Sequence, residues 1–411
     1  MSAPSIWFRL FWLAFISTSW FFLVWLGTHR SESPSVLHRY SLSYFVLLTV
    51  LFCLNVGVSI LLKQRIYQHR RAILLLGVSV CVALITAEVF CRMADPLGIS
   101  YFEETRRYNL DRVADPDLVV RHRRSWGAMY QGVDVRFNEL GLRDDPIRSK
   151  KRSEYRILML GDSVVFGWGV VQNEIFSVKL QQLLTTEVGR PIRVINAGVA
   201  GYNTVQEYTF LRNDGLALEP DLVLLLYHPN DIEATPPAPS SAQGVSAQEK
   251  SPPQVLELLL EQSWLYRLAV YAGRYGRYGI RSAADLDTDE FRLEDGWRDS
   301  MSSLGQMARL CKERHIPLVV FYVRLLATPF NDALLMDVAE AVAPLPVTDM
   351  LSWFAEEDKR VYMNSKMDPH LNPKGHQVIA EHMGKYLTRE TGPQPTLQFF
   401  PSSVPLSRRR E

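Results

Sequence analysis

The stretch Tyr155-Arg156-Ile157-Leu158-Met159-Leu160-Gly161-Asp162-Ser163-Val164-Val165-Phe166-Gly167-Trp168-Gly169 is a short apolar run that stops at a glycine and passes into Asp and Ser. A run of this length, bounded by turn residues, is the pattern of a strand buried on both faces. A serine directly after such a strand stands where open α/β sheets gather their ligands, outside the carboxyl ends of the strands. The spacing is not the G-x-S-x-G elbow of α/β-hydrolases. Taken alone, Gly161-Asp162-Ser163 is also an ordinary turn, so its meaning depends on what surrounds it.

Downstream, helical and strand-like segments alternate. Residues 174–187 read as a helix, 192–195 as a second strand and 205–213 as a helix. Asp221 to Tyr227 (DLVLLLY) is the third and clearest strand. A helix over 297–314 precedes a fourth strand at 316–323, and a last helix runs from Pro373, a good first-turn residue, to about Leu387. Strands alternating with helices imply a parallel sheet covered on both faces. The expectation is an α/β fold, a three-layer α/β/α sandwich with a parallel sheet of about five strands, over residues 154–388. Residues 234–296 interrupt it. Their first part (ATPPAPSSAQGVSAQEKSPP, 234–253) is rich in Pro, Ser, Ala and Gln, 255–271 looks helical, and 266–278 is dense in Tyr, Arg and Gly. This insertion is either a plain surface elaboration or a lid and glycan-contact surface. Upstream, residues 93–153 read as a small β-rich lead-in, from alternation such as Val133-Asp134-Val135-Arg136-Phe137 and the turn Asn138-Glu139-Leu140-Gly141. Residues 389–411 read as a disordered tail ending in Arg408-Arg409-Arg410-Glu411.

Three further blocks fall at the same edge of the expected sheet. Asn196-Ala197-Gly198-Val199-Ala200-Gly201-Tyr202-Asn203 follows the second strand and His228-Pro229-Asn230-Asp231 the third. Asp368-Pro369-His370-Leu371-Asn372-Pro373-Lys374-Gly375-His376 opens the final helix. With Gly161-Asp162-Ser163, this ordered set resembles the SGNH (GDSL-like) hydrolase superfamily over residues 154–388. Asn138-x-x-Gly141-x-Arg143-Asp144 is similar to a lead-in of its membrane-attached members. Acyl transfer needs a nucleophile, a base touching it, a group orienting the base, and donors aimed at the developing oxyanion. The resemblance assigns these to Ser163, His370 and Asp368, with the backbone N–H of Ser163 and of Gly201 and the side-chain amide of Asn230 as oxyanion donors. It implies no metal and no organic cofactor.

Two departures from the family pattern stand in this chain. The usual D-x-x-H acid block is D-x-H here, with Met367 where that Asp would sit; Asp349 is the reserve candidate for the acid. His228 replaces the glycine that commonly stands two residues before the block-three asparagine. Plainer readings exist beside the chemical ones. Asn230-Asp231 is also a post-strand turn, and His376, at helix spacing, reads as structural. Trp168 either lines an acyl pocket or caps the core, and Asp162 reads as a brace of the nucleophile loop.

The first ninety residues are far more apolar than the rest. Leu10 to Leu26, Ser41 to Leu62 and Ala72 to Cys91 are each about 17 to 22 residues long, enough to cross ~30 Å of hydrocarbon as helix. Three transmembrane helices within residues 1–92 are therefore expected. A cleaved signal peptide is the rival for the first, but its apolar core is long and no small-residue cleavage site follows. Lys63, Arg65, Arg70 and Arg71 make the connection after the second span the more positive one, so it is expected in the cytoplasm, with the catalytic domain on the extracytoplasmic side of a multi-pass protein. Glu88 reads as interfacial or as an intramembrane site.

The chain has 411 residues, with 45 Lys plus Arg against 44 Asp plus Glu, a balance that gives no pull toward nucleic acid. Its four cysteines show neither a disulfide framework nor metal-ligand spacing. The expected partners are a lipid bilayer and an acylated small-molecule or glycan substrate. The first expectation is a membrane-anchored serine esterase removing acetyl groups from an envelope or exported glycan. An O-acyltransferase using the same acyl-serine, and a catalytically silent glycan- or partner-binding module, are the alternatives.

Overall fold

The computed structural model describes residues 68–94, 100–233, 262–270, 295–324, 329–356, 358–365 and 368–388. Contacts divide the chain into two compact units, Met1–Pro96 with Glu249–Ala272, and Leu97–Gln248 with Gly273–Glu411.

In the first unit, helix α1 (Arg70–Ala94) contains the third of the expected spans. Among the described residues it supplies the one segment, Arg71–Met93, long and apolar enough to cross a membrane, with a mean hydropathy of 2.5. The other two expected spans, 10–26 and 41–62, lie outside the described residues, as do the tail and most of the insertion. Leu74, Leu75, Leu76, Ile85 and Phe90 all project outward from α1. Glu88 has several polar partners. It pairs with Arg92 at 2.7 Å and accepts the backbone N–H groups of Trp264 at 3.0 Å and Leu265 at 2.9 Å and the Ser263 hydroxyl at 2.9 Å. These donors open the short helix of residues 264–270, so Glu88 caps from another segment the orphan N–H groups that every helix start leaves.

The second unit's first described element is a helix, α2 (Ser100–Asp111), within what the sequence reads as a small β-rich lead-in. The missed signal is charge spacing. Glu103 meets Arg106 at 2.7 Å and Glu104 meets Arg107 at 3.0 Å, pairs three residues apart that support a helix. Two antiparallel hairpins follow, β1 (Val113–Asp115) with β2 (Val119–Arg121), then β3 (Trp126–Tyr130) with β4 (Val133–Phe137). In β4 Val133, Val135 and Phe137 are buried while Asp134 and Arg136 are exposed, as their alternation requires.

The chain then enters β5 (Tyr155–Gly161), α3 (Ser163–Phe166), α4 (Phe176–Val188), β6 (Ile192–Asn196), α5 (Thr204–Asn213) and β7 (Leu222–Tyr227). After the insertion come α6 (Asp295–Glu313), β8 (Leu318–Tyr322), α7 (Pro329–Ala341), β9 (Val347–Asp349) and α8 (Pro373–Thr388). The five strands pair in parallel in the order β6-β5-β7-β8-β9. Four of them match the apolar runs. The fifth, β9, has three half-buried residues and carries no periodic signal; α7 before it is likewise unforeseen.

Apolar side chains cover both faces of the sheet. On one face Phe176, Leu180 and Leu184 of α4 and Ile379, Ala380 and Met383 of α8 pack against Ile157, Met159, Leu224 and Phe321. On the other, Phe210 and Leu211 of α5 and Leu304 and Met307 of α6 pack against Leu158, Leu160 and Val223. The lead-in has no core of its own: Tyr108, Tyr130, Val135 and Phe137 bury themselves on Phe166 and Trp168, the residues just after Ser163.

Candidate active site

β5, second in the sheet between β6 and β7, ends at Gly161, and Ser163 opens α3 directly after it. Asp162 is the N-cap, its Oδ1 accepting the Val164 N–H at 2.9 Å. The Ser163 hydroxyl meets two acceptors, His370 Nε2 at 2.7 Å and Asp162 Oδ2 at a longer 3.3 Å. His370 Nδ1 lies 2.6 Å from Asp368 Oδ1. An ionised carboxylate only accepts, so Nδ1 carries the ring proton and Nε2 presents its lone pair to the Ser163 hydroxyl.

The D-x-H spacing works through a turn. Asp368 Oδ1 also accepts the backbone N–H of His370 at 3.1 Å, an Asx turn that folds the side chain back over its own segment. Asn364, unnoticed in the sequence, completes the support. Its Nδ2 donates to Asp368 Oδ2 at 3.1 Å and to the Trp168 carbonyl at 3.0 Å, tying the acid segment to the nucleophile loop. The reserve acid, Asp349, is engaged elsewhere: Arg324 donates to it through Nε at 3.1 and 3.2 Å and through Nη2 at 2.5 Å.

Of the other residues expected to donate to an oxyanion, Gly201 lies in the loop after β6 and Asn230 in the turn after β7. Asn230 Nδ2 donates to Asp162 Oδ2 at 3.0 Å, and an amide nitrogen has a second hydrogen to offer. His228 Nδ1 donates to Asn230 Oδ1 at 2.6 Å, so the residue standing in place of a glycine orients the amide. Gly201 has φ +80°, a left-handed value that explains the glycine. An added Cβ there would meet only Arg112 Nη1, at 3.8 Å, so crowding within the protein is not the reason. Gly198 is the crowded one: a Cβ would stand 2.3 Å from the Phe166 nitrogen. Its absence lets the loop after β6 lie directly on α3.

The lead-in motif holds both loops. The buried Arg143 donates to the carbonyls of Phe166 at 3.1 Å, Gly167 at 2.6 Å and Val170 at 2.6 Å, and burial lowers its pKa to about 10. Asp144 takes Arg193 at 2.7 Å and the Asn196 N–H at 2.9 Å, and Asn138 Oδ1 accepts the N–H groups of Leu140 and Leu142.

Other residues pack around this site. Trp168 is buried against Tyr108 and Tyr130, with its ring 6.1 Å from that of His370. Tyr101 of α2, another residue the sequence did not single out, lies 5.6 Å from the His370 ring. His376 accepts the Phe176 N–H at 3.2 Å, and burial lowers its pKa to about 3. Beneath the loops, Glu207 and Asp231 are fully enclosed. Burial first, and then the neighbouring Asp162 carboxylate and their closeness to one another, raise both carboxyls well above the usual range. Among the described residues no group of three or more His, Cys, Asp or Glu side chains is arranged to hold a metal ion.

A family model for the GDSL-like lipase/acylhydrolase family matches residues 159–378. The chain belongs to that family and is an ester hydrolase of the SGNH type. No curated protein sequence matches it. Among solved structures it is similar to a lipolytic protein of the G-D-S-L family from Desulfitobacterium hafniense, with 13% identity and a TM-score of 0.34, covering 56% of this chain and 98% of that one. A lipase/acylhydrolase from Enterococcus faecalis gives 14% and 0.33, over 56% and 94% of the two chains. The acetyl xylan esterase AlAXEase gives 14% and 0.32, over 56% and 97%.

Proposed function

We propose that this chain is a membrane-anchored serine esterase that removes acetyl groups from an envelope or exported glycan, with Ser163, His370 and Asp368 as its catalytic triad. The observation that carries the reading is the unbroken relay from Ser163 Oγ to His370 Nε2 at 2.7 Å and from Nδ1 to Asp368 at 2.6 Å. His370 takes the hydroxyl proton as Ser163 Oγ attacks the ester carbonyl, and Asp368 stabilises the imidazolium that forms. The N–H groups of Ser163 and Gly201 and the Asn230 amide receive the oxyanion. Collapse expels the alcohol, which takes its proton from His370, and leaves an acetyl-serine. Water, deprotonated by the same imidazole, then releases acetate.

The anchor in this proposal is the set of three N-terminal spans. The four positive charges between the second and third place that connection in the cytoplasm and the hydrolase domain outside. The division into a membrane region at 1–92, a lead-in at 93–153, a catalytic region at 154–388 with an insertion at 234–296, and a tail belongs to the same reading. Extracytoplasmic placement favours an envelope or exported acceptor, and the Tyr101 ring beside His370 offers an apolar face for a sugar ring. Labelling of the purified protein with a fluorophosphonate, followed by a screen of acetylated glycans for acetate release, tests it. Labelling lost in Ser163→Ala, with acetate released by the wild type alone, is the expected result. A protein that labels elsewhere, or a Ser163→Ala variant that still releases acetate, defeats the reading. Acetyl transfer to an added sugar without free acetate identifies the acyltransferase instead.

A further inference from the structure

We infer that Arg112, just past the end of α2, is a positioning residue that sets the direction of the Gly201 N–H by holding the preceding carbonyl. The inference rests on the proposed reading of Gly201 as an oxyanion donor and names the device that keeps this donor aimed.

Val199 to Tyr202 form a tight turn, in which the Tyr202 N–H donates to the Val199 carbonyl at 3.0 Å. Gly201 is its third residue, and φ +80° there is the value of a type II turn. Types I and II differ by rotation of the central peptide, here Ala200–Gly201, through about half a turn. Glycine tolerates both forms, so the sequence of the turn leaves that peptide free to rotate. The peptide is planar and trans, which points its C=O and its N–H in opposite directions. Whatever fixes the Ala200 oxygen therefore fixes the Gly201 N–H.

Arg112 does this. Its Nη1 donates to the Ala200 carbonyl at 3.0 Å, and Nη2 donates to Asn109 Oδ1 at 2.7 Å, so the guanidinium is itself held. It lies over the Tyr108 ring, 5.1 Å from the centroid. Among the described residues no carboxylate pairs with it, so its charge stays available to polarise the peptide. Such a bond draws electron density toward the oxygen and makes the N–H of the same peptide a stronger donor.

A second hold acts one residue earlier. The Ala200 N–H donates to the Tyr108 hydroxyl at 3.1 Å, and that hydroxyl lies 2.6 Å from His122 Nε2. His122 Nδ1 in turn lies 2.9 Å from the Gly141 carbonyl, which can only accept. The tautomer follows: Nδ1 carries the proton, and the Tyr108 hydroxyl donates to Nε2. Burial lowers the His122 pKa to about 3, so this chain stays neutral across ordinary pH. The first half of the lead-in thus grips the turn on both sides of Ala200. A flipped peptide would lose the Arg112 bond and present a carbonyl oxygen where the oxyanion forms.

The test uses the full-length protein in detergent and the variants Arg112→Ala, Arg112→Gln and Arg112→Lys. Ser163→Ala and Asn230→Ala serve as references, and thermal melts check folding. With p-nitrophenyl acetate, Arg112→Ala is expected to lower kcat about tenfold or more while KM stays nearly constant, because a misdirected donor costs less than the ~10²–10³-fold of a deleted one. Phosphonylation of Ser163 by an ethyl fluorophosphonate, which builds the same negative oxygen, should slow by the same factor. Arg112→Lys should fall between wild type and Arg112→Ala, and added guanidinium ion should restore part of the loss in Arg112→Ala. Folded Arg112→Ala and Arg112→Gln with wild-type kcat would overturn the inference. So would a loss confined to KM, which would make Arg112 a substrate contact, or an unslowed phosphonylation. If Arg112→Ala does not fold, Arg112→Gln and Arg112→Lys carry the same comparison. An active Ser163→Ala, or an Asn230→Ala of unchanged kcat, marks failure of the site reading itself. Normal references with an indifferent Arg112 mark failure of this inference alone.

Discussion

Asp368 and His370 stand two residues apart and meet twice, Oδ1 of the carboxylate accepting both the ring Nδ1–H at 2.6 Å and the backbone N–H at 3.1 Å of the same histidine. The turn that makes the second bond enforces the first. On the proposed mechanism, Asp368→Asn lowers kcat on the order of 10⁴-fold, since an amide at this position favours the wrong imidazole tautomer. Asp349→Asn, which weakens only the pairing with Arg324, leaves kcat within a few-fold of wild type. Both are read on one activated acetyl ester with folding checked by circular dichroism. A crippling Asp349→Asn with a mild Asp368→Asn reverses the assignment.

Asn230→Ala removes one proposed oxyanion donor and the amide that bonds Asp162 at 3.0 Å, while leaving the apolar core untouched. The expected result is a ~10²–10³-fold fall in kcat. Steady-state kinetics on the same ester measure it, and an unchanged kcat takes Asn230 out of the site.

Arg143 is buried among three carbonyls that close the nucleophile loop. Arg143→Met keeps much of the volume and removes every donor. An unsatisfied buried polar group costs about 1–3 kcal/mol, so a stability loss of roughly 2 kcal/mol or more is expected. For a domain of this size that lowers the melting temperature by ~4–8 °C. A melt coincident with wild type would show that water serves those carbonyls equally well.

The enclosed Glu207 makes stability depend on pH in a defined direction. In the unfolded chain this carboxyl ionises near 4.5, while in the fold burial and the Asp162 charge keep its proton well above that value. The folded state therefore binds more protons, and stability falls as pH rises from about 4.5 toward the folded pKa. Glu207→Gln cannot ionise and should lose this fall. The gap between its melting temperature and that of the wild type should widen from pH 5 to pH 8. A constant gap would mean that Glu207 is ionised in the fold at pH 5.

The topology proposal predicts that a phosphatase fused after Thr388 is active and a cytoplasmic reporter at that point inactive, because four positive charges, Lys63 and Arg65 with Arg70 and Arg71 at the start of α1, hold that end of the span in the cytoplasm. The reverse pattern would place the hydrolase domain inside.

Local periodicity made the sheet legible: YRILML and DLVLLLY are continuous apolar runs because β5 and β7 are buried on both faces. The blocks around Ser163, Gly201, Asn230 and His370 were likewise readable as segments at strand ends and before the last helix, where the structure has them. β9 was not, because three half-buried residues paired on one side leave no pattern. Which of Asp368 and Asp349 meets His370 was also beyond the sequence. It turns on charge compensation, and Arg324 neutralises Asp349 from a different loop while an Asx turn delivers Asp368 to the imidazole. The same holds for Arg112, which reaches a carbonyl 88 residues away. Periodicity records which face of an element is apolar, and it holds no trace of which polar groups from separate elements meet once those faces are buried. Only the packed tertiary structure decides that.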